Sequence, residues 1–343
     1  MFNSPRLDLA AYRNGILGGD RFILAQAITL VESVLPADQD LAGDVINAVL
    51  PYAGNSLRIG ITGAPGVGKS TFIEAFGKMF IDSGKKVAVL TVDPSSQLTG
   101  GSILGDKTRM QELARDPRAF IRPSPSGRTL GGVASQTREA MLLCEATGFE
   151  IIIVETVGTG QSEIAIKNMV DFFLLLMQPG SGDELQGIKK GIVEMADAVA
   201  ITKADGDSLK TAKATQADFQ HALHLLKPQR MGWTTKVVTC SALTGAGMQE
   251  IHDLINNFNK QLSASGDIEA NRKRQQTSWF QEHFHLLLSL DPKQFPDLAE
   301  EEKNLLIRIQ SGSISPRRAA REMLLAYHRV ISRTYPEDGG IKT

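Results

Sequence analysis

Eight consecutive residues carry the most specific chemistry in the chain. Gly63-Ala64-Pro65-Gly66-Val67-Gly68-Lys69-Ser70 fits the pattern GxxxxGK[ST]. Its glycines permit a turn in which successive backbone N–H groups face one point, as the oxygens of a polyphosphate require. Lys69 is placed to reach the β- and γ-phosphates, and Ser70 to give a hydroxyl oxygen to a magnesium ion. Thr71 opens a helical pattern running to Phe80, whose N-terminus adds a favourable field. An apolar strand pattern at 57–62 precedes the loop, which is the context this motif needs.

Three carboxylates stand where a magnesium site needs hard oxygen ligands or water-mediated partners: Asp93, Asp106 and Glu155. Asp93 and Glu155 end apolar strand runs, and Asp106 follows the loop 95–105. An acid at a strand end also reads as a solvated cap; the phosphate loop gives Asp93 and Glu155 their added weight, and Asp106 has the least support from spacing. Glu155-Thr156-Val157-Gly158 occupies the position of a DxxG element, in which the Gly158 N–H senses a γ-phosphate and hydrolysis releases the loop. Thr159 follows, not the glutamine that orients water in many signalling GTPases, so slow intrinsic hydrolysis is expected.

Base choice rests on Thr202-Lys203-Ala204-Asp205, a variant of NKxD. Asp205 can accept from the N1–H and amino group of guanine, with Lys203 along the ring face and Ser241 and Ala242 at the next strand end. Adenine would leave that carboxylate mismatched. Thr202 in place of asparagine is expected to remove an amide that braces the loop.

The elements that must hold these residues are legible from periodicity. Runs at 57–62, 86–93, 149–156, 172–178, 198–204 and 235–240 are almost wholly apolar, as strands buried on both faces are. With amphipathic helices between them they predict an α/β P-loop NTPase fold, a mostly parallel sheet sandwiched by helices, with ligands at the C-terminal strand ends. Met248, Ile251, Leu254, Ile255, Phe258 and Leu262 mark its last helix. Of 32 glycines, five fall in 1–56, twenty-three in 57–262 and four in 263–343. The expected organisation is an N-terminal helical extension over 1–56, a nucleotide domain over 57–262 and a C-terminal helical arm over 263–343. In the first, Asp20 caps a helix that Pro36 stops, and a shorter helix runs from Leu41 to Leu50. In the last, helices are expected around 268–290 and 297–310, and Ser315-Pro316 starts another.

Composition excludes several classes. Lys and Arg total 37 against 38 Asp and Glu, so no bulk charge draws the chain to nucleic acid or an anionic membrane. The longest apolar runs reach six residues, as at Phe172 to Met177, far below the ~20 of a membrane helix. Two cysteines, Cys144 and Cys240, form neither a disulfide framework nor a four-ligand zinc site. The first twenty residues lack an apolar signal core. A cytoplasmic protein, or the mature form of an organelle protein, is expected.

The segments GAPGVGKST, VDPSS (92–96), GGSILGDKTRM (100–110), ETVGTGQSE (155–163) and GDELQGIKKG (182–191) resemble the MeaB/ArgK family of methylmalonyl-CoA mutase-associated GTPases. The resemblance covers almost the whole chain, including LAQAITLVES (24–33) and ISPR (314–317). It implies GTP and GDP as ligands with Mg2+, a homodimer through the C-terminal helices, and binding to an adenosylcobalamin-dependent mutase. It further implies gating of cofactor loading and protection or rescue of that mutase. Asp93, Asp106 and Glu155 then belong to the metal and switch region, and 180–191 is a further switch in which Asp183 and Lys189 move relative to the nucleotide. Read alone, Asp183 caps a helix over 184–196, with Lys189 on its solvated face. His221 and His224, one turn apart without a third ligand at matching spacing, read as surface or capping residues. No DxHxxG stretch is present, so cobalamin is expected to be handled by the partner. Two competing classes share parts of this pattern: a nickel-delivery GTPase, and an ATP-dependent kinase acting on a transport binding protein.

Overall fold

In a computed structural model, the residues described are 6–33, 35–93, 110–125, 130–156, 162–181, 190–224, 230, 232–290, 295–311 and 313–334. The apolar runs become β1 (Leu57–Gly63), β2 (Val87–Asp93), β3 (Ala119–Pro125), β4 (Ile151–Thr156), β5 (Phe172–Met177), β6 (Ala198–Ile201) and β7 (Lys236–Thr239). They pair in the order β3-β2-β4-β1-β5-β6-β7, every pairing parallel. Strands such as β4 and β5 are buried along their whole length, because helices cover both faces of the sheet.

One face is covered by α1 (Leu9–Leu17), α2 (Arg21–Val31) and α3 (Pro36–Val49), whose residues Tyr12, Leu24, Ile28 and Val45 share a core with Leu90, Ile152 and Val154 of the sheet. The other face carries the helix α4 (Lys69–Asp82), with Phe72, Phe76 and Phe80 packed in the core of Val89, Ile151 and Ile153. Alternation along each strand sends neighbouring residues to opposite cores. The remaining helices of this part are α5 (Gln111–Arg115), α6 (Leu130–Ala146), α7 (Ser162–Lys167), α8 (Lys190–Met195), α9 (Ser208–His224) and α10 (Met248–Ala264). They are followed by α11 (Asp267–Leu290), α12 (Pro296–Gln310) and α13 (Pro316–Thr334).

The structure departs from the sequence expectation at three places. Residues 119–125 form a seventh strand that none of the six apolar runs marks. β3 is the outermost strand and pairs only with β2, so Pro123 and Pro125 forfeit no second ladder. Pro36 starts a helix instead of stopping one: α2 ends at Val31, and Pro36 occupies the first turn of α3, where its missing N–H costs nothing. A further helix, α1, precedes the expected one, capped by Asp8 accepting from Ala11 N at 2.7 Å. Asp20 does cap α2, accepting from Phe22 N at 2.8 Å and Ile23 N at 3.2 Å.

The chain forms two compact units, Met1–Gln276 and Thr277–Thr343. The change of pattern at residue 57 is a change of secondary structure within one unit, since the N-terminal helices share a core with the sheet. The first turns of α11 also belong to the first unit. In the second unit, Leu305, Ile314 and Ala319 form a small core between α12 and α13, and Arg308 pairs with Glu322 at 2.8 Å.

A buried charge network closes the N-terminal edge of the sheet. Asp171, one residue before β5, accepts from Arg58 N at 2.9 Å and from Arg272 Nε and Nη2 at 2.8 and 2.6 Å. Arg272 also donates to the carbonyls of Gly54 and Ser56, which joins the start of α11 to the segment leading into β1. Beside it, Glu145 accepts from Arg58 Nε at 2.8 Å, from Ser56 Oγ at 2.5 Å and from Gly54 N at 2.8 Å. Burial alone would push the Glu145 carboxyl up, but Arg58 and the two further donors outweigh it and hold its pKa below the ordinary value. With a lowered folded pKa, the stability from this pair is present above the ordinary glutamate range and is lost only as pH falls through the lower folded value.

Asp171 is the acceptor common to three of these strands of contact, and its side chain is fully buried. Asp171→Ala leaves the Arg272 guanidinium buried without its carboxylate. Urea unfolding followed by far-UV circular dichroism should show a loss of about 3–5 kcal/mol.

Candidate functional site

β1 lies in the middle of the sheet between β4 and β5, and its C-terminal end delivers the chain to the loop 63–68. Gly63 pairs with Leu176, and a Cβ there would stand 2.5 Å from the Leu176 carbonyl oxygen. Gly68 sits immediately before α4 with φ of 96°, a left-handed conformation that turns the chain into the helix. These two glycines are therefore required by the backbone path as well as by a ligand.

Four carbonyls of the loop are held from outside. Lys69 Nζ, on a side chain largely withdrawn from solvent, donates to Gly63 O at 2.8 Å and Ala64 O at 3.2 Å. Lys203 Nζ donates to Gly66 O at 2.8 Å, and Thr202 Oγ1 to Val67 O at 2.8 Å. The Val67 side chain is buried in the core beneath α4, and the Val67 N–H donates to Ala64 O at 3.2 Å. Of these peptide units, Ala64–Pro65 has no N–H and the Val67 N–H is spent on Ala64 O, so the grip leaves the Ala64 and Gly68 amides to face the other way, where they can meet anionic oxygen.

Thr202 and Lys203 follow directly on β6, so the 202–205 segment and the 63–68 loop touch. The expectation that threonine at 202 removes a brace is corrected here: the hydroxyl supplies one, reaching Val67 O and, at 3.1 Å, Met177 O. Lys203 has φ of 53°, a left-handed conformation costing a non-glycine residue on the order of 1 kcal/mol. That conformation accompanies an ammonium seated on Gly66 O. Asp205 is half-buried, and Ser241 Oγ donates to its Oδ2. Ser241 in turn accepts from Thr244 N at 3.2 Å, and Ala204 N donates to Cys240 O at 3.0 Å. The 202–205 and 240–242 segments are thereby fastened to each other, with Ala242 in the turn that follows Ser241. A carboxylate oriented in this way can accept two parallel N–H bonds from one edge of a guanine.

Glu155 is buried at the end of β4, opposite Ile61 of β1 and Thr91 of β2. By alternation it shares the face of Ile151 and Ile153, the face covered by α4 with Ser70 in its first turn. Thr156 points the other way and bonds Thr62 Oγ1 at 2.7 Å. A hydroxyl and a buried carboxylate are hard oxygen donors, and a magnesium ion bound to phosphates needs only one or two such protein groups. The donor set therefore suits that ion. The backbone of Asp93 ends β2 opposite Pro125. Asp106, Gly158, Asp183 and Lys189 lie outside the described residues. Pro65, Ser70 and Thr71 occupy the loop and the first turn of α4 as expected.

The two cysteines lie in different cores on opposite faces of the sheet, Cys144 in that of the N-terminal helices and Cys240 in that of α4. Burial pushes the Cys240 thiol up to about 12 and raises that of Cys144 as well.

An all-parallel sheet with this loop at the end of its central strand defines a P-loop nucleoside-triphosphate-binding protein. The chain belongs to the MeaB family: the family model described as Methylmalonyl Co-A mutase-associated GTPase MeaB matches residues 24–290. It is 46% identical to the GTPase ArgK of Escherichia coli, over 89% of this chain and 92% of the relative. It is also 46% identical to the mouse protein named Methylmalonic aciduria type A homolog, mitochondrial, over 91% of this chain and 78% of the relative. A crystal structure of an LAO/AO transport system kinase matches with a TM-score of 0.75 at 38% identity, covering 95% of this chain and all of that one. Among the described residues, no helix is long and apolar enough to cross a membrane.

Two outcomes test this geometry. Asp205→Asn exchanges a carboxylate acceptor for an amide donor at the residue the sequence expects to meet the 2-substituent of the base. It should weaken GDP on the order of a hundredfold and favour xanthosine diphosphate, read by displacement of a fluorescent nucleotide. The cysteines should resist a thiol-disulfide reagent at pH 8 in the folded protein and react fully in denaturant; rapid labelling of native protein would contradict their burial.

Proposed function

We propose that this GTPase is a magnesium-dependent switch that serves an adenosylcobalamin-dependent acyl-CoA mutase, methylmalonyl-CoA mutase or a close relative, as a chaperone. It gates cofactor loading and protects or reactivates the mutase. The observation that carries this reading is the family match over residues 24–290, whose description names the mutase association. The name of the mouse relative, which also refers to methylmalonic acid, supports the same reading.

In this reading the loop amides of 63–68 bind the phosphates, and Lys69 sets its charge against the β- and γ-phosphates. Ser70 and Glu155, with Asp93 and Asp106, hold the magnesium ion. When bound, the ion neutralises charge developing on the phosphate oxygens. Asp205, oriented by Ser241, selects guanine. Gly158 senses the γ-phosphate, and Asp183 and Lys189 belong to a second segment that changes with the nucleotide. Thr159 in the place of a water-orienting glutamine supports slow hydrolysis without the partner. The mutase then accelerates turnover by ordering 155–163 and 180–191.

The C-terminal helices form the homodimer in this proposal. Their apolar exposure supports it: Phe280 is 70% and Ile307 62% exposed, and Phe284, Leu287, Leu324 and Leu325 are exposed as well. Such a density of large apolar side chains is unusual for a surface that meets only water.

A second reading, an ATP-dependent kinase, draws on the name of the similar crystal structure. The fastening of Asp205 by Ser241 supports guanine instead. The nickel-delivery reading has less support, since cysteines held protonated in separate cores cannot share one ion.

The test is co-purification with the mutase in the presence of GTP, GDP or no nucleotide, with GTP turnover measured alone and in the complex. A complex and at least a tenfold rise in turnover are expected. No complex in any nucleotide state would sink the chaperone role and leave the GTPase intact.

A further inference from the structure

The helix that follows the phosphate loop has a buried glycine in its interior, Gly77 of α4. Glycine at such a position costs about 1 kcal/mol against alanine, and a helical backbone gives no reason for it. The reason is a neighbour: a Cβ there would stand 2.9 Å from Leu113 Cδ2 and 3.1 Å from Leu113 Cδ1. The absent side chain is a notch in α4, and Leu113 of α5 fills it. Leu113 and Met110, the residue before α5, are both buried in the core of α4.

Polar contacts from the same face of α4 align the rest of α5, since positions 74, 77 and 78 are neighbours on a helix surface. Glu74 Oε1 accepts from Glu112 N at 2.8 Å, a first-turn amide that has no acceptor within its own helix. Lys78 Nζ donates to Glu112 Oε2 at 2.8 Å, but both partners of that pair are exposed and it contributes little. The notch and the capped amide do the docking.

In sequence, Met110 stands four positions after Asp106, and Glu74 four after Ser70. Four residues of chain span at most about 14 Å, and four residues of helix rise about 6 Å. Docking α5 on Glu74 and Gly77 therefore limits how far Asp106 can stray from the start of α4. We propose that α5, seated in the Gly77 notch, is a positioning element for magnesium-dependent nucleotide binding. Gly77, Leu113 and Glu74 act through the chain that runs from Met110 back to Asp106 and touch neither nucleotide nor ion. This role rests on the reading that puts Asp106 at the ion. Displacing α5 withdraws that carboxylate, and the nucleotide loses the part of its affinity that the ion supplies. The phosphate loop, Lys69 and Asp205 are untouched, so affinity without the ion is kept.

The experiment uses the full chain with Gly77→Val, which fills the notch, and Leu113→Ala, which removes what occupies it. A double variant exchanges the same volume between the two positions. Affinity for a non-hydrolysable GTP analogue is read by displacement of a fluorescent nucleotide, in Mg2+ and in EDTA. Each single variant should lose about fivefold or more in Mg2+ and less than about twofold in EDTA. The double variant should return to within about threefold of the parent in Mg2+. Equal losses in both buffers would mark a general fold defect and overturn the proposal. So would unchanged affinity in Mg2+, or a double variant no better than either single one. If Gly77→Val does not fold, Leu113→Ala adds no bulk and its two affinities decide. Asp106→Asn separates the levels. If it keeps the full gain from Mg2+, the reading of the metal site fails; if it abolishes that gain while the α5 variants retain it, only the role of α5 fails.

Discussion

The nucleotide site depends on a loop that must turn its amides toward a ligand while its carbonyls are taken up elsewhere. A backbone cannot do this unaided, because the N–H and C=O of one peptide unit point in opposite directions and both need partners. Here the partners for the carbonyls come from three side chains: Lys69 on Gly63 and Ala64, Lys203 on Gly66, and Thr202 on Val67. Two of them arrive from the end of β6, so the distance between β1 and β6 is part of the phosphate site. The parallel order that places β5 between those strands, and the burial of both strands, maintain that distance.

The opposite edge of the sheet is held by a different kind of interaction. There Arg58, Glu145, Asp171 and Arg272 form a buried ionic network that joins the starts of β1 and β5 to α6 and α11. Such networks contribute little over a well-packed apolar alternative, but they are intolerant of losing one member. Strands fastened at their starts by ion pairs and at their ends by carbonyl contacts keep their register at both ends.

Much of this is legible in the sequence. The phosphate loop has a rigid spacing and flanks that the chain reproduces, and six of the strands stand out because burial on both faces leaves unbroken apolar runs. β3 escapes because it is an edge strand in which prolines are tolerated, and Pro36 misleads because proline suits the first turn of a helix as well as the end of one. The brace from Thr202 is not legible at all: a hydroxyl at one position gives no sign of a carbonyl 135 residues away. Motif comparison reads the replacement of asparagine as a loss, whereas the fold supplies the bond with a different atom. The network around Asp171 escapes for the same reason, since its members are scattered between residues 54 and 272 and no local pattern marks them.

The left-handed backbone of Lys203 has a consequence for how this protein can evolve. Glycine would adopt that conformation without steric penalty, so the chain keeps at this point a residue less comfortable than the one its geometry favours. The ammonium on Gly66 O is what a glycine would surrender. What recommends lysine at this point is the reach of its ammonium to the loop and not the preference of its backbone.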